Sequence, residues 1–246
     1  MKLKDKRVLV TGGSSGIGLA LARSLMAKGS NIFITGRRPA VLSAALDELR
    51  KGSSFSAGMA ADIGTTEGRA ATIGQAIQEL GGLDIVVNNA GGVRGGRLEQ
   101  TSEAEILSMV AVDLVAPILL TRAALPALRA SGEAMVVNVS SGIALVGAPF
   151  YATYAAVKAG LAHFGESLRR ELKGEGIHVL TAYLGGTADD ENEPRRAGAR
   201  FRARAGVRRR RRHRGRNRVR CLRGDPRRRD ACQDDPTQSR ESRCRR

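Results

Sequence analysis

Tryptophan is absent from this chain, aromatic residues make up only 3% of it, and its three cysteines (Cys221, Cys232 and Cys244) all lie near the C-terminus. The first 193 residues therefore contain no thiol. They can build neither a disulfide framework nor a cysteine metal site, which fits a domain kept in a reducing compartment. Runs of eighteen apolar residues are also missing, and the first five residues lead directly into a strand pattern. We therefore expect no signal peptide, no membrane partner and a cytoplasmic location. Lysine is absent from residues 194–246, which hold 22 arginines and 5 acidic residues and so carry the whole formal charge of +17. Residues 1–193 hold 19 basic and 19 acidic side chains and are neutral. The charge belongs to one segment and says nothing about the body of the protein.

What the body does have is a rhythm. Short apolar strand patterns at 7–11, 31–35, 55–61, 83–88, 134–139 and 177–182 alternate with helical spacing at 17–28, 39–51, 66–80, 102–130 and 150–173. A chain of 246 residues has room for one sizeable α/β domain. Six alternations with short connections predict a doubly wound parallel sheet flanked by helices.

Three groups of residues on this frame carry chemistry. Tyr154 and Lys158 are four apart on a predicted helix and share one face. An ammonium beside a phenol favours the phenolate, so Lys158 is expected to draw Tyr154 down toward working pH. Ser141, at the end of the preceding strand, can hold a carbonyl against that phenol, an arrangement suited to moving a proton on and off a carbonyl oxygen. The second group is the turn from Thr11 to Gly18 between the first strand and first helix. Gly12 permits the tight turn, Gly16 close backbone approach and Gly18 helix packing, and the exposed N–H groups suit a pyrophosphate. The third is Arg37, followed by Arg38, at the end of the second strand. An acidic residue there would accept from a ribose 2′-hydroxyl, whereas arginine pairs a 2′-phosphate, so NADP(H) is expected over NAD(H).

Taken together, Thr11-Gly12-x-x-x-Gly16-x-Gly18, Asn88-Asn89-Ala90-Gly91, Ser141 and Tyr154-x-x-x-Lys158 stand in the order and spacing of one family. Over residues 5–187 the chain resembles the short-chain dehydrogenase/reductases. The resemblance implies a Rossmann-type dinucleotide-binding and catalytic domain (residues 1–187), a homo-oligomer, no metal, and a small-molecule carbonyl or alcohol substrate. It implies that Tyr154 is the acid/base, that Lys158 lowers its pKa and grips the nicotinamide ribose, and that Ser141 orients the carbonyl. Cofactor contacts would come from Gly12, Ser14, Ser15, Gly16, Ile17, Gly18 and Arg37. Asp62 and Ile63 would lie near adenine, Asn89, Ala90 and Gly91 beside the cofactor, and Thr187 near the nicotinamide amide. Tyr151, one turn before Tyr154, reads as a pocket or packing residue.

Two positions depart from the family pattern. Asp113 stands where many members have a catalytic asparagine. That residue acts through its backbone carbonyl, and Pro117, four residues on, has no N–H to occupy the carbonyl of Asp113. The proton relay is therefore expected to survive, although a carboxylate can shift the lysine and tyrosine equilibria; the plain alternative is that Asp113 faces solvent. Leu184 replaces a common proline in the turn before Thr187.

From about residue 188 the composition changes. The segment 188–246 contains the run Arg208 to Arg212 and almost no apolar residues, and is expected to be disordered. Three readings stand open. A basic tail would bind nucleic acid in a salt-dependent way, but apart from Phe201 it has no aromatic side chain to stack on bases. A second reading is an extension peculiar to this chain. The third, which we favour, is a shift of reading frame in a GC-rich gene, since arginine without lysine is what CGN codons give. Codons compatible with residues 188–196, read one base later, spell Pro-Met-Met-Lys-Thr-Asn-Arg-Ala, similar to a substrate loop of the family. Three functions follow: an NADP(H)-dependent carbonyl reductase or alcohol dehydrogenase, a Rossmann core with weak or no catalysis because its substrate wall is missing, and nucleic-acid binding through the tail.

Overall fold

A computed structural model describes residues 1–52 and 54–185; Thr187 and the whole arginine-rich segment lie outside the described residues. Six parallel strands form one sheet in the order β3-β2-β1-β4-β5-β6. They are β1 (Arg7–Val10), β2 (Asn31–Gly36), β3 (Ser56–Ala60), β4 (Ile85–Asn88), β5 (Ala134–Ser141) and β6 (Ile177–Leu184). Helices α1 (Gly16–Met26), α2 (Pro39–Leu49), α3 (Thr66–Leu80), α4 (Glu103–Val110), α5 (Ala116–Ala130) and α6 (Ala152–Glu171) connect them. The strand order reverses between β1 and β4, and ligands of such sheets bind at the carboxyl ends of the strands flanking that point.

Strand alternation sorts the core into two layers, because successive side chains point to opposite faces. Leu9, Phe33 and Val86 pack with Ile73 and Ala76 of α3, Leu120, Ala124 and Leu128 of α5, and Leu168 of α6. Val8, Val10, Ile32, Ile34, Ile85 and Val87 pack on the opposite face with Ala22 and Leu25 of α1 and Leu42 and Leu46 of α2.

The predicted elements all form, with two informative differences. β5 and β6 each run two residues beyond the expected end, which places Ser141 at the carboxyl end of the sheet. The single helix expected over 102–130 is three pieces, because a π-helical turn (Ala111–Val115) separates α4 from α5. Pro117 lacks the N–H that an α-helix would bond to residue 113, and a wider turn accommodates that loss. Within Glu103–Ala130 an 18-residue window has a mean hydropathy of 1.9, so by length and composition alone this stretch is apolar enough to cross a membrane, although it contains no unbroken run of eighteen apolar residues. Part of its apolar surface, at Leu120, Ala124 and Leu128, is buried against the sheet.

At the amino end of the sheet, Arg7 clamps Asp84 twice. Its Nη2 donates to Asp84 Oδ1 at 2.8 Å and its Nε to Oδ2 at 2.9 Å, with a third bond to Oδ2 from the Arg7 backbone at 2.8 Å. Burial pushes the Asp84 carboxyl up, but the bonds and charge from Arg7 outweigh it and hold the group below its ordinary value. A carboxylate depressed in the folded state stabilises the fold above its unfolded pKa, about 4, and loses that contribution as pH falls through the folded value. Asp84→Asn is expected to cost about 2–3 kcal/mol at neutral pH, because it leaves Arg7 half-paired. In urea titrations the gap between variant and wild type should close on acidification; a gap constant from neutral pH to below pH 3 would contradict this assignment.

Candidate functional site

The turn after β1 is built around Gly12, whose φ of +64° is one that side chains rarely adopt. A Cβ there would meet Ala90 Cα at 2.8 Å, so only glycine lets this turn pass the end of β4. Gly18, in the first turn of α1, is pressed against the same turn. A Cβ on it would collide with the carbonyl oxygen of Gly12 and lie 2.5 Å from Asn89 Nδ2. Ser15 starts α1 without a side-chain cap, so the first N–H groups of the helix remain available to an anion. Ser14 is buried and Ile17 half-buried beside them.

Thr11 joins the two strands of the switch point, a role the sequence reading missed. Its backbone N–H and hydroxyl both donate to the carbonyl of Val87, at 3.0 and 3.1 Å. Its hydroxyl oxygen accepts from the N–H groups of Asn89 and Ala90, at 3.0 and 3.1 Å. Asn89 completes the brace by donating its amide to the carbonyls of Thr11 and Gly12, at 2.9 and 3.2 Å. Behind it, the Asn88 amide donates to Thr121 Oγ1 and Asn138 Oδ1, at 3.0 and 2.9 Å. A threonine that ends a strand is common, and nothing in the sequence marks this one as a hub.

Around the crevice, Arg37 follows the last residue of β2, exposed to solvent and without an ion pair among the described residues. Asp62 follows β3 and accepts from the Gly64 N–H at 2.9 Å. Ile63 follows Asp62. Its side chain is buried in the core and its carbonyl accepts from Arg69 at 2.9 Å, because the chain turns inward there to begin α3.

Ser141, Tyr154 and Lys158 come from two neighbouring elements. Ser141 ends β5, Tyr154 lies in the first turn of α6, and Lys158 follows one turn later. Tyr154 is half-buried, and Ser141 lies near enough to act on its phenol. Ser140 donates to the carbonyl of Lys158 at 3.0 Å, which fastens α6 to β5. Lys158 is buried, with Nζ 3.2 Å from the carbonyl of Val139 and 5.7 Å from the centroid of the Tyr154 ring. Asp113 does not face solvent. It is 2% exposed, its Oδ1 lies 3.1 Å from Lys158 Nζ, and its Oδ2 accepts from the Gly92 N–H at 3.3 Å.

This pairing changes the expected electrostatics. Burial pushes the Tyr154 phenol above its ordinary value; the Ser141 hydrogen bond pulls it back and the Asp113 charge adds to the rise. The lowering expected from Lys158 is not what this arrangement gives, since the ammonium is engaged by Asp113 and the Val139 carbonyl. Burial likewise raises Asp113, with Lys158 and Gly92 opposing. Tyr151 caps α6 with its ring packed over Gly95, the packing role expected of it. Phe150 before it has a φ of +70° and accepts from the Gly96 N–H at 2.8 Å. The two loops beside the crevice are thereby tied together.

Comparison with known proteins gives a consistent picture. The family profile described as short chain dehydrogenase matches residues 6–199. A short chain dehydrogenase of Pseudocercospora fijiensis is 36% identical over 178 residues, 72% of this chain and 58% of that protein. The chain thus spans less than two thirds of that relative's length. The 3-oxoacyl-[acyl-carrier-protein] reductase FabG of Vibrio cholerae is 32% identical over 75% of both chains. Among solved structures, a short chain dehydrogenase from Burkholderia cenocepacia in complex with NADP superposes with a TM-score of 0.73 at 33% identity, covering 78% of each chain.

Proposed function

The chain belongs to the short chain dehydrogenase family, and from that premise we propose that it is an NADP(H)-dependent oxidoreductase interconverting a carbonyl and an alcohol. The observation that carries this reading is the convergence of Ser141, Tyr154 and Lys158 beside the glycine turn of the switch point. The residues present fit a dinucleotide. The uncapped start of α1 and the close approach of Gly12 to Ala90 leave a backbone cradle for a pyrophosphate. Gly12, Ser14, Ser15, Gly16, Ile17 and Gly18 would line it, with Asn89, Ala90 and Gly91 beside the nicotinamide end and Asp62 toward the adenine. A nicotinamide cofactor, when bound, supplies or receives the hydride. Ser141 then orients the substrate oxygen, and Tyr154 gives it a proton in reduction or removes one in oxidation. Lys158 steadies the phenol and the nicotinamide ribose from the buried side.

Arg37 favours the phosphorylated cofactor, because a guanidinium pairs a 2′-phosphate with two charge-assisted bonds. Calorimetric titration should show NADPH binding about tenfold to a hundredfold more tightly than NADH, the effect of a hydrogen-bonded charge pair. Arg37→Ser should bring the two affinities together. If neither nucleotide binds, the dinucleotide reading fails altogether; if NADH binds better, only the role of Arg37 does.

A further inference from the structure

Large apolar side chains are expected singly on a protein surface, and a cluster of them marks a binding surface. Twelve are exposed among the described residues, and six of these stand on two loops that make up a small part of the chain. Val93 and Leu98 belong to the loop after β4, and Leu145, Val146, Phe150 and Tyr151 to the loop between β5 and α6. Leu145 and Val146 are 67% and 72% exposed. Residues 142–153 carry no charged side chain at all.

Both loops leave the carboxyl ends of their strands, where ligands of such sheets bind. The loop after β5 starts from Ser141 itself, whose hydroxyl oxygen accepts from the Ile143 N–H at 3.4 Å. The other loop is latched to it. The Gly96 N–H donates to the carbonyl of Phe150 at 2.8 Å, and a Cβ on Gly95 would stand 2.9 Å from the Tyr151 ring. Arg94, Leu98, Met109, Phe150 and Thr153 line one cleft, and Thr153 is the residue before Tyr154. We propose that these loops form the substrate wall that the described chain supplies, and that they select an uncharged, apolar ketone or aldehyde. Leu98, Leu145, Val146 and Phe150 receive its hydrocarbon while Ser141 and Tyr154 hold its carbonyl. The inference rests on Ser141 and Tyr154 being the reacting pair of the proposed oxidoreductase.

Charge decides against an anionic substrate. Arg94 and Arg97, the cations of the loop after β4, face Glu105 at 3.7 Å and Glu99 at 3.5 Å, so their field is offset locally. A carboxylate or phosphate carried against residues 142–153 would lose water and gain no charged partner, which costs more than a few apolar contacts return. A sugar fares little better, since Tyr151 and Thr153 are the only polar side chains there. Hydrocarbon gains on the same surface by leaving water.

Two ketones of equal length separate these cases: methyl hexyl ketone, and the same chain ending in a carboxylate in place of its last methyl. In NADPH oxidation, with hydride passing to the carbonyl carbon and a proton to its oxygen, kcat/KM should be at least about tenfold higher for methyl hexyl ketone. It should also fall about threefold for each methylene removed on the way to methyl ethyl ketone. Replacing both side chains, Leu145→Ser with Val146→Ser, should cost methyl hexyl ketone about tenfold and leave methyl ethyl ketone unchanged. Both are exposed, so thermal unfolding should not move. Equal turnover of the two long ketones, or preference for the carboxylate, overturns the inference. So does a double variant that keeps the wild-type preference, including one whose sedimentation shows that the loops join two copies of the chain. If no ketone is turned over, saturation-transfer NMR of the two long ketones reads the same preference as binding. Preference for methyl hexyl ketone that the double variant loses then supports the wall and sinks the proposed catalysis; equal or absent binding overturns the wall. Turnover without preference sinks the wall alone.

Discussion

Replacing Tyr154 with phenylalanine is expected to lower carbonyl reduction by about a hundredfold to ten-thousandfold, the range for loss of a positioned general acid. The substitution removes a single oxygen. The ring remains in the first turn of α6, and Lys158, held by Asp113 and the Val139 carbonyl, loses no partner given above. Cofactor affinity should therefore change little and the loss should fall on kcat, as for an interaction made in the transition state. Stability should drop by no more than about 1 kcal/mol, since one partly exposed hydrogen bond to Ser141 is lost. Single-turnover oxidation of NADPH across a panel of ketones and aldehydes provides the measurement. If wild type and variant oxidise NADPH equally slowly with every compound, the core binds nucleotide but performs no tyrosine-dependent chemistry. If both are equally fast, another group delivers the proton.

Much of this site was legible in the sequence because its parts depend on local rules. A strand followed by a glycine-rich turn and helix declares an anion cradle through backbone geometry alone, and Gly12 and Gly18 are glycine for reasons that hold in any such turn. Tyr154 and Lys158 share a helical face whatever the helix packs against. The doubly wound order follows from the alternation of strands and helices with short connections. Each of these inferences needs only residues close in sequence.

What was not legible depends on contacts across the chain. Lys158 was expected to act on Tyr154 because the two are neighbours on α6, but where its ammonium points is decided by Asp113, forty-five residues earlier, and by a carbonyl of β5. Pro117 pointed to the freed carbonyl of Asp113, yet the inward course of the carboxylate is met by Lys158 on α6 and by the Gly92 N–H after β4, both distant in sequence. Thr11 takes part in five hydrogen bonds between the ends of β1 and β4, and its place at the head of the glycine-turn motif does not announce that bracing. Distance in sequence, rather than subtlety of chemistry, separates what could be read from what could not.

The same reasoning gives the largest effect expected on the cofactor side, from a change of one methyl group. Gly18→Ala adds a Cβ that would collide with the Gly12 carbonyl oxygen and press within 2.5 Å of Asn89 Nδ2. Neither is the far end of a flexible side chain: one is backbone in a turn fixed by a positive φ, and the other is the amide bracing that turn to β4. The helix start must then move away from the turn, and overpacking of this kind costs about 1–3 kcal/mol. Against it stands the gain from alanine in a helix, about 1 kcal/mol at most, so the clash wins. Displacing the N–H groups of α1 from the pyrophosphate position is expected to weaken NADPH binding about a hundredfold, roughly 2.7 kcal/mol. Gly74 in α3 provides the control, since a Cβ there meets nothing within 4 Å. Gly74→Ala should stabilise the protein by about 0.5–1 kcal/mol and leave NADPH affinity unchanged. Calorimetry and thermal unfolding of the two variants together separate helix propensity from close approach. Should Gly18→Ala bind NADPH as wild type does, the cofactor does not rest on this turn, and the glycine at position 18 serves only to pack α1 against the sheet.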